Sequence, residues 1–259
     1  MEYPIQMTIL RIITLVCLMI LPGQGWAAVA ADGEAIITGT TSGTTDLTLD
    51  SKTTAGSGRI GFACYSWIDQ SVSLSSSTWN GVGMTLVDTS AESASLGMRA
   101  SLYYILDPPT GASSVVGHWS ASISSARGVA FSVNGADTGG TPFGTAVTVN
   151  TTGWTAPPAT VTVTTASGEL VVDCLSWSQS DVTPPSVGAN QTAFNIGGFY
   201  TSDSVFNAAS WQNGSDGGVM SWTFGGSGIG AWGFVAVPVK PSAGAAASFK
   251  GMMMVGAGQ

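Results

Sequence analysis

From Glu34 onward the chain alternates apolar and polar residues in short runs broken by Gly, Pro, Ser and Asn. No window repeats apolar residues at helical spacing for three turns. The pattern predicts strands over Arg59–Trp67, Met84–Asp88, Ala100–Leu106, Ser114–Ser120, Gly128–Val133, Ala159–Thr164, Glu169–Trp177, Val219–Phe224 and Trp232–Val239. With no amphipathic crossover helix between them, these strands exclude a βαβ series and point to an all-β, two-sheet antiparallel β-sandwich of jelly-roll type. Asn80-Gly81, between Trp79 and Val82, supplies the two positive-φ residues of a type I′ hairpin. Thr160–Thr164 and Glu169–Val172, joined by Thr165-Ala166-Ser167-Gly168, read as a second hairpin. Paired prolines at 108–109, 157–158 and 184–185 stop strands, because each removes a backbone donor and restricts the residue before it. Pro238 therefore has to lie at a sheet edge or near a strand end.

The N-terminus follows a different rule. Arg11 precedes an uninterrupted apolar run from Ile12 to Leu21, then Pro22-Gly23 and the small residues Ala27-Ala28-Val29-Ala30-Ala31. This is the order of a secretory signal peptide, with cleavage after Ala27 or Ala30. The run is too short to cross a bilayer core, which takes roughly 20 residues, so no stable membrane span is expected after cleavage. The expected division is a signal peptide over 1–30, a β-sandwich domain over 31–240 and a flexible Ala/Gly/Met tail over 241–259. The implied location is secreted, extracellular or at the cell surface.

Cys17 leaves with the signal, and Cys64 and Cys174 remain in similar contexts, Ile60-Gly61-Phe62-Ala63-Cys64-Tyr65-Ser66-Trp67 and Leu170-Val171-Val172-Asp173-Cys174-Leu175-Ser176-Trp177. Alternation puts each cysteine on the face of the two apolar residues before it. Neighbouring strands would bring the sulfurs together as a disulfide. Two separate buried thiols are the alternative, since bridging needs Cα atoms within about 7 Å.

Of 259 residues 44% are hydrophobic, with nine Trp and nine Phe, so there is ample material for a core. Only 8% are charged, against a usual share of about 25%. Seven Lys and Arg against fifteen Asp and Glu give a net charge of -8, and no basic stripe forms. Phosphate binding needs clustered positive charge, so nucleic acid and anionic lipid are excluded as partners.

Catalytic parts are few. His118, the one histidine, sits in Val115-Val116-Gly117-His118-Trp119, inside a strand, and no Gly-x-Ser-x-Gly elbow accompanies it. One histidine and two separated cysteines do not make a zinc site, and neither Asp137-Thr138-Gly139-Gly140 nor Asn213-Gly214-Ser215-Asp216-Gly217 matches a calcium loop. No metal or cofactor is expected. Glycoside hydrolysis needs only two carboxyl groups, and among the candidates Asp173 stands out, on the face opposite Cys174 and beside Val171 and Leu175. Trp222 with Phe224, and Trp232 with Phe234, share strand faces and read as core. Trp79, Trp154 and Trp211 sit beside turn residues, where they can stack on sugar rings as a glycan platform or close the ends of the sandwich as hydrophobic lids.

The segments Asn80–Val87, Leu102–Gly111, Gly168–Asp173, Met220–Phe224 and Val235–Pro241 follow one another in an order that resembles a widespread group of bacterial and phage proteins. The resemblance implies a jelly-roll or concanavalin-like sandwich in a surface, tail-fibre or adhesion context, with no catalytic residues to carry over. Three readings follow. The first is an exported surface binding or structural module, with glycan or another surface protein as partner. The second is a self-assembling surface or virion component, a homo-oligomer. The third is a glycan-cleaving enzyme on the same fold.

Overall fold

A computed structural model describes residues 28–32, 36–41, 43–69, 71–92, 97–151, 158–179, 184–197, 205–225 and 229–243. Residues 28–242 form one compact unit. Its first ten strands are β1 (Ala30–Ala31), β2 (Ile36–Thr41), β3 (Thr44–Thr54), β4 (Ile60–Ile68), β5 (Leu74–Trp79), β6 (Val82–Gly83), β7 (Thr85–Thr89), β8 (Met98–Leu106), β9 (Gly111–Ile123) and β10 (Ser125–Asn134). The remaining eight are β11 (Val147–Asn150), β12 (Ala159–Thr162), β13 (Leu170–Gln179), β14 (Ser186–Val187), β15 (Gln191–Gly197), β16 (Phe206–Asn213), β17 (Val219–Thr223) and β18 (Ile229–Val239). The described residues contain no α-helix; Gly214–Asp216 forms a single 3-10 turn.

All nine strands expected from alternation are present, and every strand pairing is antiparallel. The layering is richer than two sheets. One inner sheet runs β1-β10-β4-β8-β7 with β2 also on β10, and a second runs β11-β18-β13-β16-β15. They pack face to face over Ile60, Phe62, Cys64, Val129, Phe131, Leu170, Val172, Cys174, Val235 and Val237. An outer sheet, β3-β9-β5-β6, covers the far side of the first through Leu47, Leu49, Tyr65, Trp67, Trp79, Val115 and Trp119. Another, β12-β17-β14, covers the far side of the second through Val161, Val171, Leu175, Trp177, Met220, Trp222 and Phe234. The sandwich thus has four layers and three apolar interlayers.

Both faces of the inner strands are buried, which explains their composition. In β4, Ile60, Phe62 and Cys64 face one interlayer while Ala63, Tyr65 and Trp67 face the next. Each large side chain sealed this way stabilises the fold by roughly 1.5–3 kcal/mol. Close packing of β4 against the outer sheet requires a glycine: a Cβ on Gly61 would lie 2.8 Å from the Trp79 ring.

Local readings hold unevenly. Asn80 and Gly81 have φ of 50° and 78°, as the type I′ hairpin demands. Pro238 lies one residue from the end of β18. The hairpin expected over 160–172 does not form. Thr160–Thr162 pairs with β17 in an outer sheet, while Leu170–Gln179 lies in the inner sheet beneath it. Val161 and Val171 meet across the interlayer between those sheets, so the two segments face each other and cannot share one ladder. At the start, Val29 is buried in the central interlayer and Ala30 and Ala31 pair with β10. The described part of the fold starts at residue 28, and of the two expected cleavage positions only that after Ala27 would leave β1 whole. The rest of the segment expected to be a signal, residues 1–27, and residues 244–259 of the expected tail lie outside the described residues.

Candidate functional site

The cysteines meet through the core rather than along a sheet. Cys64 on β4 and Cys174 on β13 are joined by a disulfide with a Cα–Cα distance of 5.4 Å. Their strands belong to the two facing inner sheets and are not neighbours in one ladder, because alternation fixes the face a side chain takes but not the partner opposite it. Both half-cystines are completely buried.

Asp173 does lie on the opposite face of β13 from Cys174, in the interlayer beneath β12-β17-β14. It is fully buried rather than on an outer face. Three donors serve it: the Ser210 N–H at 2.6 Å, the Ser210 hydroxyl at 2.7 Å and the Trp222 indole N–H at 2.9 Å. Gln191 extends the cluster, donating to Ser210 Oγ at 2.8 Å and accepting the Ser221 N–H at 2.6 Å. Burial lifts the Asp173 carboxyl to about 7, against the opposing pull of its hydrogen bonds from Ser210 and Trp222. With no second carboxylate among these partners and no exposure to solvent, the group staples the inner sheet to the outer one and has no route to a sugar.

His118 stands on the solvated face of β3-β9-β5-β6. Its Nδ1 lies 2.8 Å from Asp46 Oδ1, and Ser76 sits opposite it on the other flank of β9. The row contains the residue types of a hydrolytic triad. However, Ser76 makes no hydrogen bond to the ring among the described residues, and the β9 backbone is paired on both sides, which leaves its N–H groups committed to the ladder instead of to an oxyanion. The described residues hold no cluster of three or more His, Cys, Asp or Glu placed to bind a metal.

The three turn-flanking tryptophans separate. Trp79 is fully buried, packed over Gly61 and opposite Val115, so it seals an interlayer and presents no face to a ligand. Its neighbouring Asn-Gly turn reaches the surface, but strand alternation turns the indole inward. Trp211 is half-buried against the central interlayer and offers part of one face. Trp154 lies outside the described residues. The pairs Trp222 with Phe224 and Trp232 with Phe234 are core, as alternation indicated. What sequence reasoning missed is the polar cluster around Asp173, whose partners Ser210, Trp222 and Gln191 come from three other strands with no spacing signal to connect them.

The exposed apolar residues offer a second surface. Val82 on β6 is 53% exposed and Leu86 on β7 is 45% exposed, and these strands are the open edges of an outer and an inner sheet.

Together these features define an all-β antiparallel sandwich protein with an internal cystine. No family model, no curated protein and no solved structure matches the chain. Among the described residues no helix is long and apolar enough to cross a membrane.

Proposed function

We propose that the chain is an exported, non-catalytic module of an extracellular surface, whose work is binding or scaffolding. The observation that carries this reading is the fully buried cystine between the inner sheets. Such a bond forms and persists in oxidising compartments, and the signal-like order of residues 11–31 agrees with export. A four-layer stack with its ionisable groups exposed, or sealed as Asp173 is, supports a rigid body that presents surface. The test is to express the full chain with its leader, recover the exported form and screen it against polysaccharides and simple esters. Retention on a polysaccharide or surface protein without turnover supports the reading. Turnover abolished by a single Asp, Glu or His substitution in a folded variant overturns it.

A second reading, self-association into a surface or virion layer, is favoured by the sheet edges. Strands β6, β11, β12, β14 and β15 contain no Lys, Arg, Asp or Glu, the residues that ordinarily keep exposed edges from pairing with other chains.

A further inference from the structure

The two halves of the fold repeat one another strand by strand. In the first half β3 lies in an outer sheet, β4 is central in the inner sheet, β5 returns to the outer sheet, β7 forms the inner edge, β8 flanks β4, β9 returns outside and β10 closes the other flank of β4. In the second half β12, β13, β14, β15, β16, β17 and β18 take those same places in that order. The edge strand next to β10, β2, has its counterpart in β11 next to β18. Only β1 and β6 have no equivalent strand.

The sequence repeats at matching places. Thr54, Ser57, Gly58, Cys64, Ser66 and Trp67 recur as Thr164, Ser167, Gly168, Cys174, Ser176 and Trp177, all at the 110-residue separation of the cystine. Gly58 and Gly168 both take positive φ, at 57° and 87°, and so do Asn80 and Asn190, also 110 apart, at 50° and 63°. Val129-Ala130 and Val133 stand beside β4 as Val235-Ala236 and Val239 stand beside β13. The irregularities match too: the β7–β8 ladder skips Val87, the β15–β16 ladder skips Phe194, and both skipped residues turn into the central interlayer. A bulge is a specified feature rather than noise, so a shared one at the same register is strong evidence of common design.

The halves also meet reciprocally. Cys64 Sγ lies 3.7 Å from the Ala208 carbonyl oxygen, and Cys174 Sγ lies 3.5 Å from that of Ser101, the residue equivalent to Ala208 by register. Ser66 accepts from Asn207 at the start of β16, and Ser176 donates to Met98 at the start of β8. Met98 and Val205, equivalent positions, share one cluster at the same end of the strands. The cystine contacts, in which i meets j and j meets i, are those of an isologous interface, with its two-fold axis along the strands and through the disulfide.

We infer that the chain is a tandem duplicate of one two-sheet unit, and that the inner sheet of each half is a docking face for a second copy of that unit, fused here into the single-chain counterpart of a cystine-linked homodimer. The experiment inserts a protease site between Gly139 and Gly140, in the exposed turn joining the halves, and cleaves the folded full-length protein. In a Cys64→Ala/Cys174→Ala background the cleaved protein stays a 1:1 complex whose melting temperature falls on dilution. Loss of β-sheet signal on cleavage overturns the proposal. With the cysteines restored, the cleaved protein is reduced, diluted and reoxidised. Cys64–Cys174 is the main product, and Cys64–Cys64 and Cys174–Cys174 pairs appear beside it by mass spectrometry. Reoxidation without the like-with-like cystines overturns self-complementarity of the docking faces.

Discussion

The Trp222 indole N–H donates to Asp173 Oδ2 at 2.9 Å across the interlayer joining β17 to β13, so one sealed carboxyl ties an outer sheet to an inner one. Its ordinary value is 3.8, and burial raises it to about 7 in the fold. A carboxyl whose folded value is raised favours the folded state while protonated. Its contribution is therefore complete below about pH 4, declines as pH rises toward 7 and is gone above that. The size is on the order of a few kcal/mol. Urea unfolding midpoints should fall across this window in the wild type, and the part of that slope due to Asp173 should vanish in Asp173→Asn. An equal slope in both proteins would refute the assignment.

The cystine closes a long loop, and in the chain-entropy picture such a bridge contributes about 4–5 kcal/mol. Cys64→Ala/Cys174→Ala should therefore lower the urea midpoint substantially while keeping the β-sheet spectrum. Exported wild-type protein, alkylated without reduction, should show no modified Cys64 or Cys174; two labelled thiols would contradict the bridge.

Trp79 is structural. Trp79→Ala leaves a cavity between β5 and β4 and should destabilise by about 3–5 kcal/mol, while Gly61→Ala, which drives a methyl into the same ring, should cost about 1–3 kcal/mol. Thermal melts report both. A Trp79→Ala protein of unchanged stability but weakened ligand binding would return the indole to the surface.

His118 and Asp46 form an exposed pair on the outer sheet. His118→Ala should leave ligand retention, melting temperature and the absence of ester turnover all within error of the wild type. Hydrolysis lost in His118→Ala and in Ser76→Ala alike would instead show that the row works as a triad.

If the open sheet edges drive assembly, Val82→Lys on uncharged β6 and Leu86→Lys on the neighbouring edge β7 should cut self-association measured by sedimentation, with melting temperature nearly unchanged because both side chains are already wet. Unaltered sedimentation would remove these two edges from any assembly.

Much of the fold could be read from alternation, and the failures have physical causes. Period two correctly put Cys64 with Phe62 and Cys174 with Val172, and Asp173 on the other face. It could not say what covered that face, so the four-layer stack stayed hidden. The β3 segment, Thr44–Thr54, is rich in Thr and charged residues and went unseen, although Leu47 and Leu49 bury against β4. β16 was missed for the opposite reason, since Phe206-Asn207-Ala208-Ala209-Ser210 is wholly buried and its polar members hide their alternation in buried hydrogen bonds, Asn207 to Ser66 across the core and Ser210 to Asp173 on the neighbouring strand. Of the aromatic candidates, Trp79 misled because its Asn-Gly neighbour marks a surface turn while its own register aims it inward.

The chain enters the fold with Ala30 against Asn134 and leaves it with the Ser242 N–H bonded to the Gly135 carbonyl, so entrance and exit stand on consecutive residues. A body whose two ends emerge side by side behaves as a cassette. It can be set into a loop of a host protein without prising that loop apart, and it then stands upright on its tether. The opposite end of the strands, near Ile68, Met98 and Ser125, then points away from that tether.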